Sequence, residues 1–142
     1  DIIGIKGGGL AQDSIHAGGL CGISTPLDPM ITKADDLSGQ VMAREGELPP
    51  VWEELRIDLV LLDVMVSSSG EEPEKVRPLQ SGEMLMLNSA TATSVGTVSQ
   101  IKGKNATIKL RLPICAEVGS RITLSRRIGS RWRLIGHASI KE

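Results

Sequence analysis

The sequence has no Phe and no Tyr, and Trp52 and Trp132 are its only large aromatics. A core without them has to be filled by Leu, Ile, Val, Met and Ala, and the β-branched members of that set favour strands. Cysteine is scarce as well. Cys21 and Cys115 form neither a C-x-x-C pair nor a multi-cysteine framework. That sets aside a disulfide-stapled fold and leads us to expect a reduced, cytoplasmic protein. No apolar run approaches the ~18 residues of a membrane-spanning helix, and no leader pattern opens the chain, so no membrane partner is expected. His16 and His137 are the only histidines. No His/Cys/carboxylate spacing suggests a zinc site, and nothing supports a Cys–His nucleophilic pair.

The motifs that hold nucleotides are missing too. A phosphate loop needs G-x-x-x-x-G-K-[ST], with backbone amides around the phosphates and a Lys on the terminal ones. Gly103-Lys104 is followed by Asn105, so the pattern fails. Gly7-Gly8-Gly9 does not complete G-x-G-x-x-G and reads as a flexible turn. Thr32-Lys33-Ala34-Asp35 resembles the guanine-recognition tetrapeptide of GTPases, but no phosphate loop accompanies it and it reads as a polar connector. From the residues we therefore expect no catalytic residue, cofactor or metal in this chain.

The composition that remains, 40% apolar and 23% charged over 142 residues, is that of one globular domain or one domain plus a fragment. The chain opens at Asp1, not Met, and enters a strand-like segment at once, so a piece of something longer is expected. Charge is unevenly spread. Residues 1–99 hold 6 Lys and Arg against 15 Asp and Glu, a net of −9. Residues 100–142 hold 10 against 2, a net of +8. A basic surface with an anionic partner and mutual neutralisation within the fold both fit this asymmetry.

Period-two alternation dominates the chain. Strands are expected at Ile2–Lys6, Leu20–Ser24, Leu37–Ala43, Trp52–Val66, Glu83–Asn88, Thr91–Lys102, Asn105–Leu112, Arg121–Ile128 and Arg131–Ile140. Leu55, Leu59 and Leu62 would also suit a helix. Leu48-Pro49-Pro50 is a rigid connector, Ser67–Lys75 an exposed loop, and Lys102-Gly103-Lys104 and Gly129-Ser130 hairpin turns. A change of character near Thr32–Asp36 places a domain boundary there. Many short strands with Gly-rich turns imply an all-β antiparallel barrel or sandwich.

The densest chemical feature is Arg121, Arg126, Arg127, Arg131 and Arg133 about the last hairpin. Arginine forks hydrogen bonds to phosphates and stacks on planar groups. RNA contact and ion pairing with a neighbouring domain are both open for this cluster. If Trp132 is in the core, Arg131 and Arg133 point outward.

The strings then become specific. Ser125-Arg126-Arg127-Ile128-Gly129-Ser130-Arg131-Trp132-Arg133-Leu134-Ile135-Gly136 closely resembles the terminal signature of the archaeal/eukaryotic translation initiation factor two gamma family, in its archaeal style. Pro113–Gly119, Ala17–Ile23, Leu27-Asp28-Pro29, Lys33–Val41 and Leu48-Pro49-Pro50 are similar to it in the family's order, across nearly the whole chain. Where the eukaryotic version of the family carries aromatics, Asp58–Leu62 has none, and His137 stands in a short stretch that often carries a bulky aromatic or Trp.

The resemblance implies a GTP-binding domain, absent from this chain, followed by two β-barrels. Residues 1–35 would be the last strands of the second barrel. Residues 36–142 would be the third, an antiparallel Greek-key barrel. GTP and Mg would belong to the full-length parent. Its partners would be methionylated initiator tRNA, the small ribosomal subunit, and the alpha and beta subunits of the same factor. This chain would supply domain, tRNA or ribosome contacts without catalysis. The alternative is the C-terminal barrel of a general or selenocysteine-specific elongation GTPase.

Overall fold

A computed structural model describes residues 1–33, 35–65 and 74–142. The chain forms two compact units, Asp1–Leu37 and Ser38–Glu142. The first unit holds β1 (Gly4–Gly7), β2 (Leu10–Gln12) and β3 (Cys21–Ser24), an antiparallel sheet in the order β2-β1-β3. Gly8 and Gly9, with φ of 58° and 82°, turn β1 into β2. The helical turn α1 (Pro29–Lys33) follows, with Asp28 Oδ1 accepting from Met30 N at 2.9 Å and Pro29 in first position. None of the described residues of this sheet or of α1 is buried. Neither β2 nor α1 was expected from sequence, because three to five residues are too few to show a period.

The second unit is built from β4 (Val51–Leu61), β5 (Met84–Ser89), β6 (Ala92–Lys102), β7 (Asn105–Cys115), β8 (Arg121–Ile128) and β9 (Arg131–Lys141). They close into an antiparallel barrel in the order β4-β7-β6-β5-β8-β9, with β9 pairing back onto β4. Strands β5, β6 and β7 form a meander and β8 returns beside β5, which is a Greek key. The alternation that the sequence shows becomes the inner face. Leu55, Ile57 and Leu59 of β4 meet Ala106, Ile108 and Leu110 of β7, Leu85 and Leu87 of β5, Ile122 and Leu124 of β8, and Ala138 and Ile140 of β9. Each buried Leu or Ile contributes roughly 1.5–3 kcal/mol. Aliphatic chains fill most of the interior, with Ser89, Ser94, Ser125 and Arg126 the polar residues buried beside them among the described residues. Trp52 sits half-buried against it, its Nε1 donating to Ala116 O at 2.8 Å.

Three expectations change. The long segment from Trp52 is the expected strand and the helical alternative falls away, but it ends at Leu61, short of the expected Val66. Leu37–Ala43 is turn and coil, because Gly39 takes a φ of 78° and a Cβ there would stand 2.7 Å from Ala92 Cα. Strand β7 runs past Leu112 to Cys115. Here Trp52 pairs with Ile114 and Glu54 with Lys109, so β7 bulges outward between them. That irregularity accommodates Pro113, and Ser94 Oγ ties it down, donating to Leu112 O at 2.7 Å and accepting from Leu112 N at 3.3 Å. Most of the loop expected over Ser67–Lys75, and Val66 before it, lies outside the described residues. At its end Lys75 bridges to Val64.

Two inward glycines, Gly96 and Gly136, let the strands approach. A Cβ on Gly136 would collide with Val60 O and come within 3.0 Å of Leu61 Cα, both backbone atoms of the strand that closes the barrel. Gly136→Ala should therefore destabilise the barrel by about 3 kcal/mol and lower its melting temperature by about 12 °C or more. Thermal unfolding followed by circular dichroism checks this; an unchanged melting temperature would mean the closure is looser than described.

Candidate nucleic-acid interface

The five arginines singled out from sequence do not form one cluster. Arg121 opens β8 and is exposed. Arg127 lies six residues further along the same strand, roughly 20 Å away at strand rise. Arg127, Arg131 and Arg133 gather at the β8–β9 turn, where Gly129 takes a φ of 59°. Arg127 and Arg131 are exposed, and Arg127 Nε donates to Gly129 O at 3.3 Å.

Arg126 faces the other way, and this corrects its candidacy for a partner contact. It is 4% exposed. Its guanidinium pairs with Glu83 and donates to Arg77 O at 3.0 Å and to Pro78 O at 3.2 Å. Glu83 Oε2 also accepts from Gln80 N at 3.1 Å. One buried fork thus fastens the segment before β5 onto β8. The signal was present in the sequence: Ile122, Leu124 and Arg126 share one phase of β8, and that phase points inward.

The expected faces of β9 change as well. Leu124 pairs with Gly136 but Ser125 pairs with Leu134, so Ile135 is an extra residue on β9. It is fully buried, and its carbonyl accepts from Leu62 N at 2.8 Å. A bulge of this kind reverses the alternation beyond it. Arg133 therefore stands opposite buried Arg126, and Trp132 opposite exposed Arg127. Trp132 and Arg133 are both half-buried, so the inward Trp132 with an outward Arg133 does not occur. Arg121, Arg127 and Arg131 remain as exposed cations.

The other candidate groups stay apart from any reactive arrangement. Cys115 Sγ donates to Pro49 O at 3.3 Å, Cys21 and His16 are exposed, and His137 is half-buried between Val60 and Thr123. Among the described residues no group of three or more His, Cys, Asp or Glu is placed to hold a metal ion. No described helix is long and apolar enough to cross a membrane. Thr32 and Lys33 of the guanine-type tetrapeptide lie in the last turn of α1, where Thr32 Oγ1 donates to Pro29 O at 2.7 Å.

The chain is similar in fold to translation elongation factor SelB from Methanococcus maripaludis, solved in complex with the GTP analogue GppNHp. That structure aligns over 99% of this chain and 33% of its own, with a TM-score of 0.57 at 12% identity, a likeness of fold alone. The fold is thus a closed antiparallel β-barrel preceded by a small three-stranded sheet. The family model for "Initiation factor eIF2 gamma, C terminal" matches residues 53–140. Translation initiation factor 2 subunit gamma from Methanocaldococcus jannaschii is 47% identical over 140 residues, covering 99% of this chain and 34% of its own length. Its counterparts from Thermococcus onnurineus and Methanococcus aeolicus are 44% and 50% identical over 142 and 134 residues. The chain belongs to the initiation factor eIF2 gamma family, and it spans about a third of the length of the curated relatives it matches.

Arg126 gives the first test of how these arginines divide. Arg126→Ala takes the partner from half-buried Glu83 and leaves the Arg77 and Pro78 carbonyls without their donor, and should cost about 2–3 kcal/mol, read as a lower urea midpoint. Arg127→Ala should change stability by no more than about 0.5 kcal/mol. Equal effects would refute the division between a buried and an exposed arginine.

Proposed function

We propose that this chain is the C-terminal part of a translation initiation GTPase subunit that delivers methionylated initiator tRNA to the small ribosomal subunit. Residues 1–35 are the last strands of its second barrel and residues 36–142 the third barrel. The observation that carries this reading is the 42–50% identity, over 94–100% of the chain, to archaeal gamma subunits. A three-stranded sheet without a buried residue also fits a piece of a larger barrel. GTP, Mg and catalysis belong to a separate nucleotide-binding domain, as do the contacts of the beta subunit. The alpha subunit docks mainly on the second barrel. The site of action is the cytoplasm. The elongation-factor alternative has only a likeness of fold at 12% identity in its support.

In this reading the third barrel is an accessory module that docks on RNA or on its neighbouring domain, and Arg127 and Arg131 are the exposed cations of its hairpin tip. In the intact factor, Arg127→Glu with Arg131→Glu should weaken initiator tRNA binding by roughly tenfold at low salt and flatten its salt dependence by about 1–2 in log–log slope. Filter binding with methionylated initiator tRNA and GTP at several salt concentrations checks it. Unchanged affinity throughout would assign the hairpin tip to inter-domain contact. No GTP-dependent tRNA binding by the intact protein would sink the functional reading itself.

A further inference from the structure

The barrel carries a second cationic surface, made of residues far apart in sequence. Its pairing registers place Arg121, Ser139, Asp58, Asn105 and Lys102 in one continuous row across five strands, β8-β9-β4-β7-β6. The adjoining row is Lys141, Arg56, Thr107 and Gln100. All of these lie on the outer face, since the residues that alternate with them, Ile57, Ala106, Ile140 and Ile122, are buried. At about 4.8 Å per strand the first row runs roughly 19 Å. Between β9, β4, β7 and β6 the belt dips into a depression of about 450 Å³, lined by Arg56, Lys102, Lys141 and the neutral donors Gln100, Asn105 and Thr107, with Ile57, Ala106 and Glu142 completing it.

The charges are four cations against two carboxylates. Lys141 Nζ lies 3.4 Å from Asp58 Oδ2 and donates to Asn105 Oδ1 at 3.0 Å, which holds it over the depression. Glu142 is the other carboxylate. Among the described residues no ion pair engages Arg56, Lys102 or Arg121. Every outward side chain of the two rows is polar or charged. A protein-docking surface carries an apolar core within a polar rim, whereas nucleic-acid interfaces are polar and strongly positive, with phosphates and sugars met by Lys, Arg, Asn, Gln, Ser and Thr.

We infer that this belt binds the phosphate backbone of a structured RNA, with Arg56, Lys102 and Arg121 neutralising phosphates and Gln100, Asn105 and Thr107 meeting phosphate or sugar oxygens. The inference rests on the reading that the factor works on RNA, and it places the contact away from the hairpin tip. The 142-residue chain tests it by fluorescence anisotropy with a labelled RNA hairpin and with labelled poly-glutamate, each at several salt concentrations. The triple variant Arg56→Gln, Lys102→Gln, Arg121→Gln should bind the hairpin roughly tenfold more weakly and lose about 2 from its log–log salt slope. Asp58→Asn, which keeps every cation and removes a carboxylate from the belt, should bind several-fold more tightly, a gain that misfolding would not produce. Three results would overturn the belt: no hairpin binding by the unaltered chain, equal binding by the triple variant, or poly-glutamate binding as tightly as RNA with the same loss. In each case the tRNA measurement on the intact factor still decides the functional reading separately.

Discussion

Everything in the second unit depends on β4 pairing with β9. Strand β4 already hydrogen-bonds β7 along one side. When β9 takes the other side, from Arg56–Lys141 to Leu61–Gly136, no strand of the sheet keeps an open edge. The pairing is possible because Gly136 has no side chain where Val60 and Leu61 cross it. An interior of Leu, Ile, Val, Met and Ala suits such a small closed sheet. Branched aliphatics fill it to native density without the bulk of a ring.

The bulge at Ile135 sorts the arginines. After it in the chain, β9 follows the simple alternation that buries Ala138 and Ile140. Before it, Arg133 shares the face of Arg126. On β8 its own alternation separates two adjacent arginines, Arg126 buried in the fold and Arg127 facing solvent. Arg126 with Glu83 and two backbone carbonyls is a buried anchor, whereas Arg121, Arg127 and Arg131 are held on rigid strands with their charges outward. Charge density alone does not separate these roles; register does.

The sequence made the barrel legible wherever a strand was long and its two faces differed. Strands β6, β8 and β9 were read to within one or two residues, because Leu, Ile and Val alternate there with polar groups and Gly marks the turns. It was less legible where irregularity intervenes. Pro113 is a sign of the irregularity in β7, but nothing at Ile135 announces a bulge, which shows only in the register against β8. Leu37–Ala43 has a strand's composition but a left-handed Gly39 in its midst. The cationic belt was not legible at all. Arg56, Lys102, Arg121 and Lys141 come from four different strands, and only the pairing registers bring them into two rows.

The closure also fixes an order of events during synthesis. Lys141 stands opposite Arg56, yet it is made 85 residues later, a delay of roughly 4–17 s at the pace of translation. Through that interval the nascent β4 has no β9 to cover it, and an uncovered strand invites pairing with other chains. Glu53, Glu54, Arg56 and Asp58 are spaced along this strand. The charges that face solvent in the finished barrel are therefore also gatekeepers for the unfinished one, discouraging aggregation until the last strand arrives.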